Sequence, residues 1–276
     1  MSLLKVIVLA IVQGLAELLP VSSSAHVIVA EKLMGLDPSA PQMTLLLVML
    51  HTGTMFAVIA YFWNTWKESH FASKAVFRQF AVRLIWATAL TGLIGEGAKK
   101  LLEKTLLHGA PKAEIEQLFS HLELIAPALA AVGILILIAG LIEHRRRTAS
   151  PEADASRGTL RNGVTTRQAG WMGIVQGFAL PFRGFSRSGS TISIGMLTGA
   201  EKHAAERFSF ALAVVLTPAV VGLEAIRLWK AAHLAAGAAP IDLHASLFSS
   251  LLGMVFSFVA GLLALKWLSR WLESGR

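Results

Sequence analysis

Gly184-Phe185-Ser186-Arg187-Ser188-Gly189-Ser190-Thr191 interrupts an otherwise apolar part of the chain. The apolar run 171–182 precedes it, and a second run ends near Ala200. Neither run reaches the about 20 residues that a membrane-crossing helix needs. Irregular backbone is tolerated at membrane depth only where it is buried in protein or lines a wet cavity. The stretch therefore predicts a re-entrant helical hairpin with a polar tip. Its guanidinium is a rigid fork that fits phosphate oxygens. Glycines let the backbone approach an anion, and a helix beginning near Ser188 aims free N–H groups at it. Alone, the octapeptide reads equally well as a serine N-cap cluster beside an arginine at a water interface.

The same order of elements occurs near the start. Residues 6–16 are apolar but too short to span; Glu17, Pro20 and Ser22-Ser23-Ser24 interrupt them, and residues 27–30 resume the run. Ile11-Val12-Gln13-Gly14 recurs as Ile174-Val175-Gln176-Gly177. Each match is followed by a break, a serine cluster, a second short helix and then longer apolar runs. Paired interrupted segments in two halves of a membrane protein point to a binding site at the repeat interface.

Composition agrees. Of 276 residues, 54% are hydrophobic and only 15% charged, against about 25% charged in soluble domains. The expected fold is an all-α polytopic membrane protein. The net charge of +8 sits mainly in connections. It speaks of topology and anionic membrane lipids, and no nucleic-acid partner is expected. The chain has no cysteine, which excludes disulfides, thiolate catalysis and cysteine metal sites. The apolar run after Lys5 continues into Glu17 and Pro20 without a small-residue cleavage site, unlike a signal peptide.

Between and after the breaks, spans are expected at 44–63, 80–97, 124–142, 208–229 and 243–265. Residues 99–122 are amphiphilic and read as an interfacial helix and loop. The predicted organisation is a first repeat over 1–142 (hairpin 2–36 plus three spans), a basic linker over 143–167, and a second repeat over 168–276 (hairpin 168–200 plus two spans). Three spans between the hairpins invert the second relative to the first. The connections 67–78 and 143–167 and the C-terminus then share the arginine- and lysine-rich face, which the positive-inside rule makes cytoplasmic. The first hairpin opens to the outer side, and the two tips meet within the membrane. Trp63 and Trp66 read as interface-belt aromatics.

Gln13 and Glu17, four residues apart, share one helix face. Ser22 and Ser23 stack on the same side of the next helix as His26. An acid, an amide, hydroxyls and an imidazole thus face the set Ser186, Arg187, Ser188 and Thr191, and ionisable groups inside a membrane are functional by default. Together they suit phosphoryl transfer. Arg187 holds phosphate oxygens and stabilises transition-state charge. Glu17 with Gln13 can hold a divalent cation, water completing its shell. Ser23 or Ser22 attacks phosphorus if His26 takes its proton; otherwise His26 or Glu17 activates water. Each residue alone reads more simply as a cap, a hydrogen-bonded histidine or a snorkelling acid. Their convergence on two inverted breaks reverses that. His51, in mid-span, reads equally well as a cavity-facing group or a satisfied core histidine.

The stretch from Gln13 to His26 resembles the first signature of the undecaprenyl-diphosphate phosphatase family, the bacitracin-resistance type. The stretch Gly184 to Thr191 resembles its second signature, and Phe208-Ser209-Phe210 its Phe-Ser-Phe segment. The resemblance runs over most of the chain. It implies an integral enzyme of the bacterial cytoplasmic (inner) membrane that removes the terminal phosphate of undecaprenyl diphosphate at the outer face. That reaction recycles the lipid carrier for cell-wall synthesis and gives bacitracin resistance. It further implies a divalent cation, Mg²⁺ or Ca²⁺, an inverted repeat with re-entrant helices, and site roles for Gln13, Glu17, Ser22, Ser23, His26, Ser186, Arg187, Ser188 and Thr191. A homodimer stays open.

Three departures from the family stand out. Arg183 replaces its proline before the glycine and is either a second phosphate contact or a shift of the loop. The proline after Phe-Ser-Phe is displaced to Pro218. The family's last span is not matched before Arg276, so a truncated chain or a span supplied by a neighbour is expected. The rival reading is a transporter or flippase of a polyprenyl phosphate using the same midplane site without phosphate release. A non-catalytic scaffold leaves Glu17 and Arg187 unexplained.

Overall fold

The computed structural model describes residues 1–17, 21–71, 73–106, 122–149, 163–182, 184–234 and 242–273, and among these it contains helices and no strand. Short helices α1 (Leu3–Ala16) and α2 (Ser23–Leu33) are followed by long helices α3 (Pro41–His70), α4 (Lys74–Leu106) and α5 (Leu122–Ala149). A second short pair, α6 (Thr166–Ala179) and α7 (Arg187–Leu197), is followed by α8 (Lys202–Leu234) and α9 (Leu243–Glu273). α1 and α6 have 14 residues each. At 1.5 Å per residue they reach about 21 Å, short of the about 30 Å hydrocarbon core.

Among the described residues, four segments are long and apolar enough to cross a membrane: Pro41–Ser69, Ile125–Arg146, Lys202–His233 and Leu243–Trp267. The fifth expected span, 80–97, lies within α4. That helix has 33 residues, but Arg78, Arg83, Glu96, Lys99 and Lys100 dilute its apolar character. α4 also runs on to Leu106, past the point where an interfacial segment was expected to begin. No proline stops it, and Lys100 Nζ lies 3.4 Å from Glu96 Oε1, an i,i+4 pair that favours continuation. The rest of that segment lies outside the described residues. α5 likewise carries the helix through Glu143 to Ala149, into the expected linker. Trp63 is exposed, as an interface aromatic should be, whereas Trp66 is buried against Leu265.

Local chemistry sets the ends of the short helices. Thr165 and Gln168 form a reciprocal capping box at the start of α6: Gln168 N–H donates to Thr165 Oγ1 (3.3 Å) and Thr165 N–H donates to Gln168 Oε1 (2.8 Å). After α6 the chain turns through Gly184 at φ +106°, where a Cβ would stand 2.8 Å from Ile125 O, so the turn requires glycine. Ser186 then caps α7 by accepting from Gly189 N–H (3.1 Å). At the start of α2, Ser22 holds a left-handed conformation, φ 62°, a strained state that concentrates at functional sites.

Lipid tails are as apolar as leucine, so helices in a membrane associate through close packing. Gly14 lets α1 approach α9: a Cβ there would stand 2.5 Å from Ala260 Cβ. Gly177 does the same for α6 on α4, where a Cβ would stand 2.6 Å from Thr91 O. Leu9, Ala10, Val27 and Leu46 fix the first short pair on α3. Met172, Ala205 and Phe208 fix the second pair on α8, with Ala87 of α4. Ala25 and Ile28 of α2 meet Ile125 of α5, and α5 also packs along α7. These contacts bring the two polar breaks to one place.

Candidate active site

Glu17 ends α1, one turn after Gln13, and both are buried. Gln13 Nε2 donates to Glu17 Oε2 (2.8 Å) and lies 3.4 Å from Thr54 Oγ1 of α3. The Ser23 hydroxyl, at the start of α2, donates to the same Glu17 Oε2. From the other half, Arg187 Nη2 donates to Glu17 Oε1 at 3.1 Å. A carboxylate out of water needs such partners, and here they come from both breaks.

His51 of α3 completes the cluster. Its Nε2 lies 3.2 Å from Ser23 Oγ and 3.4 Å from Glu17 Oε2. Its Nδ1 lies 2.8 Å from Leu47 O. A carbonyl only accepts, so Nδ1 carries a hydrogen, and Nε2 faces both the Ser23 hydroxyl and the Glu17 carboxylate.

Glu17, Ser23, His51 and Arg187 form the polar end of a cavity of about 430 Å³, which Ser22, Ser24, Ser186 and Ser188 also line. The rest of its wall is largely apolar, from Leu180, Phe182 and Phe185 of the second break and Leu216, Val220 and Leu223 of α8. Glu96 and Lys99 line it toward the C-terminal end of α4. A groove of similar size between α3 and α9, lined by Phe56, Trp63 and Phe258, carries no acid, base or nucleophile.

The structure thus brings together Gln13, Glu17, Ser23 and Arg187, with Ser22, Ser186 and Ser188 on the same cavity. Two expected residues stand elsewhere. Thr191 is wholly buried, its hydroxyl 2.6 Å from Ser209 Oγ, which ties α7 to α8. His26 is exposed and does not line the cavity; its Nδ1 lies 2.9 Å from Ser22 O, across the strained turn. Arg183 lies outside the described residues. His51 and Thr54 were not singled out as site residues. The signal for His51 was an ionisable group in mid-span; which way α3 turns it depends on how α3 packs.

Glu17 and Gln13 can be tested against a divalent cation. Among the described residues no group of three His, Asp or Glu side chains could hold an ion. Gln13 Oε1, however, is buried with no hydrogen-bond partner, on the amide whose Nε2 donates to Glu17. One carboxylate and one orphaned amide oxygen fit a hard cation that shares its shell with substrate oxygens and water.

Fold and site define a multi-pass helical membrane protein with an acid, a hydroxyl, an imidazole and a guanidinium on one cavity. The chain belongs to the family of the bacitracin resistance protein BacA, whose model matches residues 6–276. It is 54% identical over 276 residues to undecaprenyl-diphosphatase 2 of Acinetobacter baylyi, covering 100% of this chain and 92% of the relative. Undecaprenyl-diphosphatase 2 of Burkholderia thailandensis is 34% identical over 282 residues, with 99% and 89% covered. Undecaprenyl-diphosphatase of Desulfosudis oleivorans is 33% identical over 276 residues, with 98% and 90% covered.

Proposed function

We infer that the chain is an undecaprenyl-diphosphate phosphatase of the bacterial inner membrane. It hydrolyses undecaprenyl diphosphate to undecaprenyl phosphate and inorganic phosphate, which recycles the carrier lipid and confers bacitracin resistance. The observation that carries this reading is the convergence of Glu17 and Ser23 from the first break, Arg187 from the second and His51 of α3 on one cavity. The names of the relatives and the family agree with it. The flippase alternative has no use for a serine set between an imidazole and a carboxylate, and no relative named above supports it.

In the mechanism we propose, the terminal phosphate enters the polar end of the cavity. Arg187 has N–H groups beyond the one on Glu17, and these hold its oxygens and the charge of the transition state. Ser186 and Ser188 flank it at the start of α7. The Ser23 hydroxyl, which donates to Glu17 at rest, turns to a neutral His51, whose Nε2 takes its proton as Ser23 Oγ attacks phosphorus. The bond to the bridging oxygen breaks, and undecaprenyl phosphate leaves. The imidazolium gives that proton to the departing oxygen. The neutral ring then takes a proton from water, whose oxygen attacks the phosphoserine. That proton passes to Ser23 Oγ as its bond to phosphorus breaks and inorganic phosphate leaves. Ser22 lines the approach, and His26 steadies the turn carrying both serines through its bond to Ser22 O. Glu17 with Gln13 Oε1 would hold Mg²⁺ or Ca²⁺. When bound, the cation supplies positive charge against the phosphate oxygens.

We further propose the inverted repeat, 1–142 against 168–276, with re-entrant hairpins. Its support is a pattern of equivalent contacts. α1 packs on α9 as α6 packs on α4, and α3 packs on α9 as α8 packs on α4. Gln13 and Gln176 are both wholly buried. Lys5 Nζ donates to Met34 O (2.7 Å) at the end of α2, and Gln168 Nε2 donates to Thr198 O (3.2 Å) at the end of α7. The cavity reaches Glu96 and Leu223, toward the ends of α4 and α8 that lie away from the basic connections, which supports an opening at the outer face. A homodimer is tested by crosslinking in native membranes.

The deciding experiment is phosphate release from undecaprenyl diphosphate by purified protein in detergent, with Mg²⁺ or Ca²⁺, with chelator, and beside Glu17→Ala. Release that needs both the cation and Glu17 is expected. Lipid binding without release by folded protein would favour the flippase.

A further inference from the structure

The apolar part of the cavity has no role in the chemistry above. There Leu216, Val220 and Leu223 of α8 line it together with Gly92 and Gly95 of α4. The two glycines differ in what surrounds them. A Cβ at Gly95 would stand 3.4 Å from Gly177 O, so the approach of α6 accounts for it. A Cβ at Gly92 would meet nothing within 4 Å, and Gly92 is not among the glycines with positive φ. Neither packing nor backbone conformation calls for glycine there, although glycine inside a helix costs about 1 kcal/mol against alanine. Open space at the cavity wall is what the missing side chain provides.

That space also meets the outer surface. Gly92 is exposed, its neighbour Leu93 is 71% exposed, and Leu223 is 67% exposed while lining the cavity. A cavity of about 430 Å³ suits a drug-sized ligand. It can enclose a diphosphate and the first prenyl units of a long lipid, but the rest of the chain must leave it sideways.

We propose that Gly92 is a specificity-determining residue: the prenyl chain passes from the cavity between α4 and α8 into the bilayer at Gly92, and the absent side chain there admits a long chain. The proposal rests on the lipid-diphosphate reading above. A short prenyl chain can lie within the cavity; a long one has to use the exit.

The test compares wild type with Gly92→Phe and with Val220→Phe, which narrows the same opening from α8. Leu93→Phe, beside the exit but not lining the cavity, is the control. For each, kcat and KM are measured for undecaprenyl diphosphate and for farnesyl diphosphate, with the melting temperature in detergent. Since one methylene in a pocket shifts discrimination by about 10-fold or more, Gly92→Phe should raise KM for the long substrate at least about 10-fold relative to the short one. Val220→Phe should move it the same way, and Leu93→Phe should not. An unchanged ratio in both cavity variants, or equal losses for both substrates, overturns the proposal. If Gly92→Phe does not fold, the ratio in Val220→Phe decides. Wild type that releases phosphate from neither substrate would instead overturn the phosphatase reading.

Discussion

Replacing Ser23 with alanine takes one hydroxyl from the centre of the site, and the structure separates what this does to the fold from what it does to the reaction. Ser23 is buried in the first turn of α2, where alanine is a good helix former. Glu17 loses one donor but keeps Gln13 Nε2 at 2.8 Å and Arg187 Nη2 at 3.1 Å. The cost to stability is that of one hydrogen bond to a charged group, about 1.5–3 kcal/mol, and the melting temperature should fall by several degrees. In the proposed mechanism the reaction loses its nucleophile. Removing the nucleophile of a site whose groups act as a unit costs most of its catalysis. A fall of at least about 10³ in kcat, about 4 kcal/mol in barrier, is expected with KM little changed. Ser24→Ala is the matched control. Ser24 is half-buried and its hydroxyl lies 3.4 Å from Ser22 Oγ, at the limit of a hydrogen bond. That variant should stay within about 10-fold of wild type, since a marginal bond is worth 1 kcal/mol or less. The assay is phosphate release at saturating lipid, on protein of checked melting temperature. Equal, mild losses in both variants would refute serine attack and leave Glu17 or His51 activating water.

His51→Gln should lower kcat by about 10² to 10⁴ with little change in KM, the range for loss of a proton acceptor, and more than His26→Ala, which loosens only the Ser22 turn; steady-state kinetics of the pair decide this. Arg187→Lys keeps the charge but not the planar fork, so kcat/KM for the diphosphate should fall at least about 100-fold, as bidentate phosphate sites do not accept lysine as an equivalent; near-normal kinetics would remove Arg187 from the phosphate. Gly14→Leu drives a side chain into Ala260 of α9 and should lower stability by about 1–3 kcal/mol or more, read as a lower melting temperature in detergent.

What could be read from the sequence was what obeys length and local order. Half-length apolar runs broken by Glu17 and by Arg187 could not span, so the polar breaks had to lie inside protein, and Gln13, Glu17, Ser23 and Arg187 do meet. The end of α4 was missed because an amphiphilic stretch without proline does not say where a helix leaves the apolar phase. His51 and Thr191 show the deeper limit. Both are polar groups in helices, and their neighbourhoods depend on helix rotation. α3 turns His51 onto Ser23, whereas α7 turns Thr191 onto Ser209 and away from the cavity. A rotation of one residue, about 100°, would exchange such roles without changing the hydropathy pattern of either helix. Burial then follows use. Thr191 finds its partners in Ser209 and the α7 backbone and is sealed in helix packing, while His51 keeps its Nε2 on the cavity because Nδ1 is already held by Leu47 O. In the mechanism proposed above, that carbonyl holds the ring so that Nε2 can take a proton from Ser23, and the two breaks supply the groups that such a transfer would serve.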